Sequence, residues 1–114
     1  MKLTTEKTIA MAHHLLNYSG DCANIHGHNV RVQVEIEGEP NENGFLVDFK
    51  VVKEIINELD HKDINKFIEQ PTAENICLYY LSKFEEQLKE NISSVTVRVW
   101  ESENSSVEET IITS

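Results

Sequence analysis

The residues best suited to chemistry fall in a few short groups. Cys22 is followed by His26-Gly27-His28, His13 and His14 precede it, Asp60-His61 lies further on, and Glu101 stands near the end of the chain. His26-Gly27-His28 runs directly into an alternating segment. If extended backbone reaches back to His26, both imidazoles project to one face, because side chains repeat every two residues along a strand. Two such imidazoles can grip one metal ion, with a third ligand from His13 or His14. Alternation groups His13 with Ile9, Met11 and Leu15, and His14 with Ala10, Ala12 and Leu16; both rows are apolar, so the pattern does not choose. Three neutral imidazoles and an open fourth position are the ligand set of a catalytic zinc, whereas Cys22 as fourth ligand would close a structural site. A His-x-His pair on a strand also occurs with no metal at all.

Asp60, directly before His61, can fix the imidazole tautomer and form a proton relay. The plainer reading is a histidine favoured by a helix C-terminal dipole, in a polar stretch that also holds Asp63. Glu101 ends a strand just after Trp100. It is either solvated surface or a carboxylate that receives two parallel hydrogen bonds from a planar, amidine-like ligand. Cys77 lies between Ile76 and Leu78 in a helical pattern and reads as a small buried hydrophobe.

These groups need a scaffold. Leu3 to Leu16 reads as a strand entering a loop at Asn17–Asp21. From residue 29 to 37, Val30, Val32, Val34 and Ile36 alternate with Arg31, Gln33, Glu35 and Glu37, the pattern of a half-buried antiparallel strand. Gly38 to Gly44 is a polar turn. Asp48 can cap a helix carrying Val51, Val52, Ile55, Ile56 and Leu59, which should stop at Asp60-His61. A second helix should start at Pro71-Thr72, with Thr72 as N-cap, Glu74 in the first turn, and Ile76, Tyr80, Phe84 and Leu88 as its buried stripe. Val95, Val97 and Val99 mark another strand, and Val107 to Ile112 a last one. The order ββααββ predicts a single α+β domain over residues 1–114, a four-stranded antiparallel sheet with two helices on one face. The other face and both edges stay uncovered, and edge-to-edge pairing between subunits is the simplest remedy.

The composition narrows the function classes. Among 114 residues, 20 acidic side chains oppose 10 basic ones, for a formal charge of -10. That balance argues against binding nucleic acid through its phosphates, and against an anionic membrane surface. No apolar run reaches the roughly 20 residues of a membrane span, and no signal-peptide pattern appears, so a cytoplasmic protein with reduced cysteines is expected. With no GxGxxG or P-loop among its 4 glycines, the chain should hold any cofactor through side chains.

Taken in order, the motifs say more than each does alone. They are Ala12-His13, Cys22-x-x-x-His26-Gly27-His28-Asn29, Val47-Asp48-Phe49, Leu59-Asp60-His61 with Asn65, Pro71-Thr72-Ala73-Glu74-Asn75, and Trp100-Glu101-Ser102. This series resembles the 6-pyruvoyl-tetrahydropterin synthase family over nearly the whole chain. The Cys-x-x-x-His-Gly-His spacing is similar to its bacterial and archaeal branch, the 6-carboxy-tetrahydropterin synthases of queuosine biosynthesis. The resemblance implies a tunnelling fold (T-fold), in which ββααββ subunits join their sheets into a barrel as a homohexamer of two trimers. It implies zinc held by His13, His26 and His28, with Cys22 as general base and Asp60 and His61 as a proton relay. Glu101 would anchor the pterin ring, and Thr72 and Glu74 would line its pocket. The implied reaction converts 7,8-dihydroneopterin triphosphate into 6-carboxy-5,6,7,8-tetrahydropterin, acetaldehyde and triphosphate. A 6-pyruvoyl-tetrahydropterin synthase or a sepiapterin-cleaving variant is the alternative on the same site. A non-catalytic zinc-binding module closed by Cys22 is the reading from another class. The sequence departs from the family pattern at Met11, His14 and Ser102, and the segment from His13 to Cys22 is short. An acidic protein that binds a triphosphate also needs a local cluster of its few cations.

Overall fold

The computed structural model describes residues 1–13, 26–87 and 89–113, with residues 13 and 26–28 described by their backbone alone. Strands β1 (Lys2–His13) and β2 (His26–Gly38) pair antiparallel along their full length, from Lys2 opposite Glu37 to His13 opposite His26. Helices α1 (Phe49–Asn57) and α2 (Ala73–Gln87) flank a two-residue strand, β3 (Lys62–Asp63), and the hairpin of β4 (Ile92–Ser102) and β5 (Ser105–Ile112) closes the chain. The sheet order is β3-β1-β2-β4-β5. The expected ββααββ order and four long antiparallel strands are present, and β3 is added parallel to β1, with Lys62 opposite Met11. Two residues carry no period, so alternation gave no sign of it.

The β2 alternation predicts the core face. Val32, Val34 and Ile36 are fully buried beside Val95, Val97 and Val99 of β4, and the helices cover them with Val52, Ile55, Ile56, Ile76, Tyr80, Leu81 and Phe84. The intervening side chains face away from the helices: Arg31 and Glu37 are exposed, and Gln33 and Glu35 half-buried. One face of the sheet is therefore packed and the other is open. Leu88, expected to complete the α2 stripe, and the expected loop at Asn17–Asp21 lie outside the described residues. No helix among the described residues is long and apolar enough to cross a membrane.

Both predicted caps form. The Asp48 carboxylate accepts from the Lys50 N–H at 2.9 Å, and the Thr72 hydroxyl accepts from the Asn75 N–H at 3.1 Å. Helix α1 ends at Asn57 rather than running to Asp60, and a tight turn follows, in which the Asp60 N–H donates to the Asn57 carbonyl at 3.0 Å. The Ile56 carbonyl in the last turn of α1 accepts the buried Tyr80 hydroxyl at 2.8 Å, which satisfies a helix-end group that lacks an intrahelical donor. Burial raises the Tyr80 pKa, which keeps the phenol protonated as the donor. This bond fixes the end of α1, and with it the Asp60-His61 turn, against α2. Tyr80→Phe is expected to lower the unfolding free energy by about 1–2 kcal/mol in urea titration; an unchanged midpoint and slope would refute that role.

Candidate active site

Strands β1 and β2 bring the histidine positions to one end of the sheet. His13 stands directly opposite His26, Ala12 opposite Gly27, and Met11 opposite His28. Opposed Cα atoms in an antiparallel pair lie about 4.5–5.5 Å apart, and residues two apart on a strand share a face. The backbone thus gathers positions 13, 26 and 28 within reach of one ion, and three imidazoles are a donor set that fits zinc. Position 13 continues the buried row of Ile9 and Met11, and positions 26 and 28 continue that of Val30 and Val32. The alternative row through Ala10 and Ala12 is only half-buried and belongs to the open face. His14 and Cys22 lie outside the described residues. Among the described side chains no group of three His, Cys, Asp or Glu forms a metal cluster.

Asp60 and His61 are held to β1 by a clasp on one residue. The Ala10 N–H donates to Asp60 Oδ1 at 2.9 Å, and the His61 N–H donates to the Ala10 carbonyl at 2.6 Å. His61 adopts φ of 58°, the left-handed region that non-glycine residues seldom occupy, as this reversal onto β1 requires. His61 Nδ1 lies 3.2 Å from Asp60 Oδ1, so the carboxylate can orient the ring, while the rest of the imidazole stays open to solvent. The expected pairing of Asp60 with His61 is therefore present, and its setting is a strand edge rather than a helix terminus.

The Asp60 carboxyl titrates below its ordinary value of 3.8, chiefly because the Ala10 N–H donates to the ionised form; His61 and Lys7 add to this, and partial burial opposes it. A lowered folded-state pKa means that stabilisation is present above the ordinary carboxyl value and is lost as the pH falls through the folded value. Asp60→Ala is expected to lower the Tm at pH 7 and to flatten its fall in acid. Asp60→Asn keeps an acceptor for the Ala10 N–H and should recover most of that loss. Equal melting temperatures for wild type and Asp60→Ala at pH 7 would exclude the clasp.

Glu101, expected to anchor a pterin, lies at the same end of the sheet. The last β2–β4 partners at that end are Arg31 and Trp100, and Glu101 follows, exposed, where the β4–β5 register shifts between Trp100 and Ser102. Helix α2 packs on β4, with the buried Cys77 thiol donating to the Val97 carbonyl at 3.2 Å. Thr72 is half-buried and Glu74 is exposed in the first turn of α2. Thr72 also has a full structural role as the α2 cap. Cys77 is the inert thiol expected from its apolar neighbours: burial pushes its pKa up to about 11.

The sequence profile of the 6-pyruvoyl tetrahydropterin synthase family matches residues 2–110. The chain belongs to this family. It is 44% identical over 87 residues, 73% of each chain, to an Archaeoglobus fulgidus protein with the provisional name 6-carboxy-5,6,7,8-tetrahydropterin synthase. It is also 34% identical over 88 residues, 74% of this chain and 76% of the other, to the dihydroneopterin monophosphate aldolase of Pyrococcus furiosus. The fold is that of the Caenorhabditis elegans 6-pyruvoyl tetrahydropterin synthase structure, with a TM-score of 0.72 at 22% identity over 100% of this chain and 96% of that one.

Within the family scaffold, a single chain brings the histidine positions and Glu101 to one end of the sheet, and sets Asp60-His61 at the outer edge of β1. His61, Lys62 and Asp63 there line an open cleft of about 560 Å³ with Ala10, Met11, Ala12 and Asn29. Sequence reasoning missed Ala10 and Lys62. Ala10 acts through its peptide group, which leaves no trace in residue type. Lys62 could have been noticed only by its place next to His61.

Proposed function

We propose that the chain is a zinc-dependent 6-carboxy-5,6,7,8-tetrahydropterin synthase, a carbon–carbon lyase acting on 7,8-dihydroneopterin triphosphate. With water as co-substrate, the products are 6-carboxy-5,6,7,8-tetrahydropterin, acetaldehyde and triphosphate, a step serving queuosine biosynthesis in the cytoplasm. The observation that carries the reading is the register that opposes His13 to His26 and sets His28 one residue pair further in, at the sheet end that also holds Glu101 and Asp60-His61. The choice of product rests on the name of the 44% identical relative.

His13, His26 and His28 would hold the zinc, which when bound polarises side-chain oxygens of the substrate as a Lewis acid. Cys22 is the general base that takes a proton from the substrate side chain, since a thiolate is favoured beside a cation. His61, oriented by Asp60, returns a proton. Glu101 accepts from the amidine-like N–H groups of the pterin ring and fixes its position, and Thr72 and Glu74 line the ring pocket.

The working form in this reading is a homohexamer of two trimers. Among the described residues, Lys2 to Ile9 of β1 and the whole of β5 present unpaired outer edges. Antiparallel pairing of those two edges between subunits would close the sheets into a barrel. The same pairing would bring a neighbour's Glu101–Ser105 turn beside the Asp60-His61 edge.

The test is to incubate the zinc-loaded protein with 7,8-dihydroneopterin triphosphate and identify products by mass. Carboxy-tetrahydropterin with acetaldehyde is the expected result. Pyruvoyl-tetrahydropterin without acetaldehyde would overturn the product assignment. The 34% identical aldolase favours a second reading, cleavage of dihydroneopterin monophosphate, and the same assay with that ester separates the two.

A further inference from the structure

The cleft beside His61 holds a cation that the proton relay does not use. Lys62 follows His61 directly, its backbone is fixed by parallel pairing with Met11, and its exposed side chain lines the cleft. No ion pair joins it to another described residue. The carboxylates nearest in sequence are engaged elsewhere: Asp63 Oδ1 accepts from the Asn65 N–H at 3.2 Å, and Asp60 Oδ1 from the Ala10 N–H at 2.9 Å. Both arginines are occupied on the open face of the sheet. Arg31 pairs with Glu6, Arg98 donates to Ser106, and both guanidiniums stack on Trp100 at 3.9 and 4.6 Å from its ring centroid. In a chain of net charge -10, an exposed lysine that lines an open cleft and has no ion-pair partner among the described residues is a local cation of the kind an anionic ligand requires.

We propose that Lys62 binds the phosphate tail of the pterin substrate. The inference rests on the functional reading above, in which His61 returns a proton to the substrate side chain. The phosphate ester ends that same three-carbon chain, so it must lie within a few ångströms of His61, where Lys62 stands. An ammonium is a compact charge with three donors and suits phosphate oxygens from varied directions.

The test compares the zinc-loaded wild type with Lys62→Ala and Lys62→Arg. The KM for dihydroneopterin triphosphate is measured together with inhibition constants for dihydroneopterin monophosphate and for unphosphorylated dihydroneopterin. Lys62→Ala is expected to raise the KM for the triphosphate about tenfold, the size of one exposed charge-assisted hydrogen bond, with kcat and the unphosphorylated inhibitor unchanged. Lys62→Arg should restore most of the loss. An equal rise for the monophosphate puts the ammonium at the ester phosphate, and a rise confined to the triphosphate puts it at the distal phosphates. Unchanged constants, or an equal loss for the unphosphorylated ring, would overturn the proposal. If the wild type is inert to the triphosphate but binds the monophosphate, the synthase reading fails, and the monophosphate arm alone decides for or against Lys62.

Discussion

His26→Ala is expected to remove the metal from the protein and to lower turnover by about a thousandfold or more. The register opposes His26 to His13 and places His28 two residues along the same strand, and in the proposed site these three positions are the zinc ligands. Losing one ligand from such a set weakens zinc retention. The lost Lewis-acid stabilisation is several kcal/mol, and each 1.4 kcal/mol is about tenfold in rate. The fold should persist, because His26 begins β2 whereas the buried row from Val32 to Ile36 lies beyond it. Native mass spectrometry reads bound zinc and subunit count together, and a thermal melt checks the fold. A His26→Ala protein that keeps one zinc per chain would remove His26 from the ligand set.

Cys22→Ala separates an enzyme from a structural zinc module. If Cys22 is the general base, the variant keeps its zinc and its Tm while kcat falls by about 10²–10⁴, the usual range for a removed acid–base group. If Cys22 instead closes a four-ligand structural site, the variant loses both metal and stability, because binding energy at such a site is folding energy. Zinc content, melting temperature and kcat measured on one preparation are sufficient, and the two outcomes differ in all three.

Much of the site was legible because strand and helix periods are local. Val30, Val32, Val34 and Ile36 announced the buried face of β2, and that face, extended back to His26, set the row of His26 and His28. Asp48 and Thr72 read as caps because a cap is satisfied by a backbone N–H two or three residues away. Two features could not be read. Strand β3 is too short to show a period, and the left-handed turn at His61 has no glycine to mark it. The turn depends on Ala10 and β3 on Met11 and Ala12, some fifty residues earlier in the chain. The end of α1 at Asn57 was also hidden, since the Tyr80 hydroxyl that completes its last turn comes from α2.

The sequence by itself determined the alternating and helical faces, the caps, the order of elements, and a motif series specific enough to name the family. All of these rest on residue types at short separations. Only the tertiary structure decided which row of β1 is buried, that of Ile9 and Met11, the row with which position 13 alternates. The same structure places Asp60 and His61 at the β1 edge and makes Lys62 part of the cleft lining. Those facts depend on β-sheet pairing and main-chain hydrogen bonds between distant segments. A peptide N–H or C=O is the same at every residue, so such pairing leaves no mark in residue type.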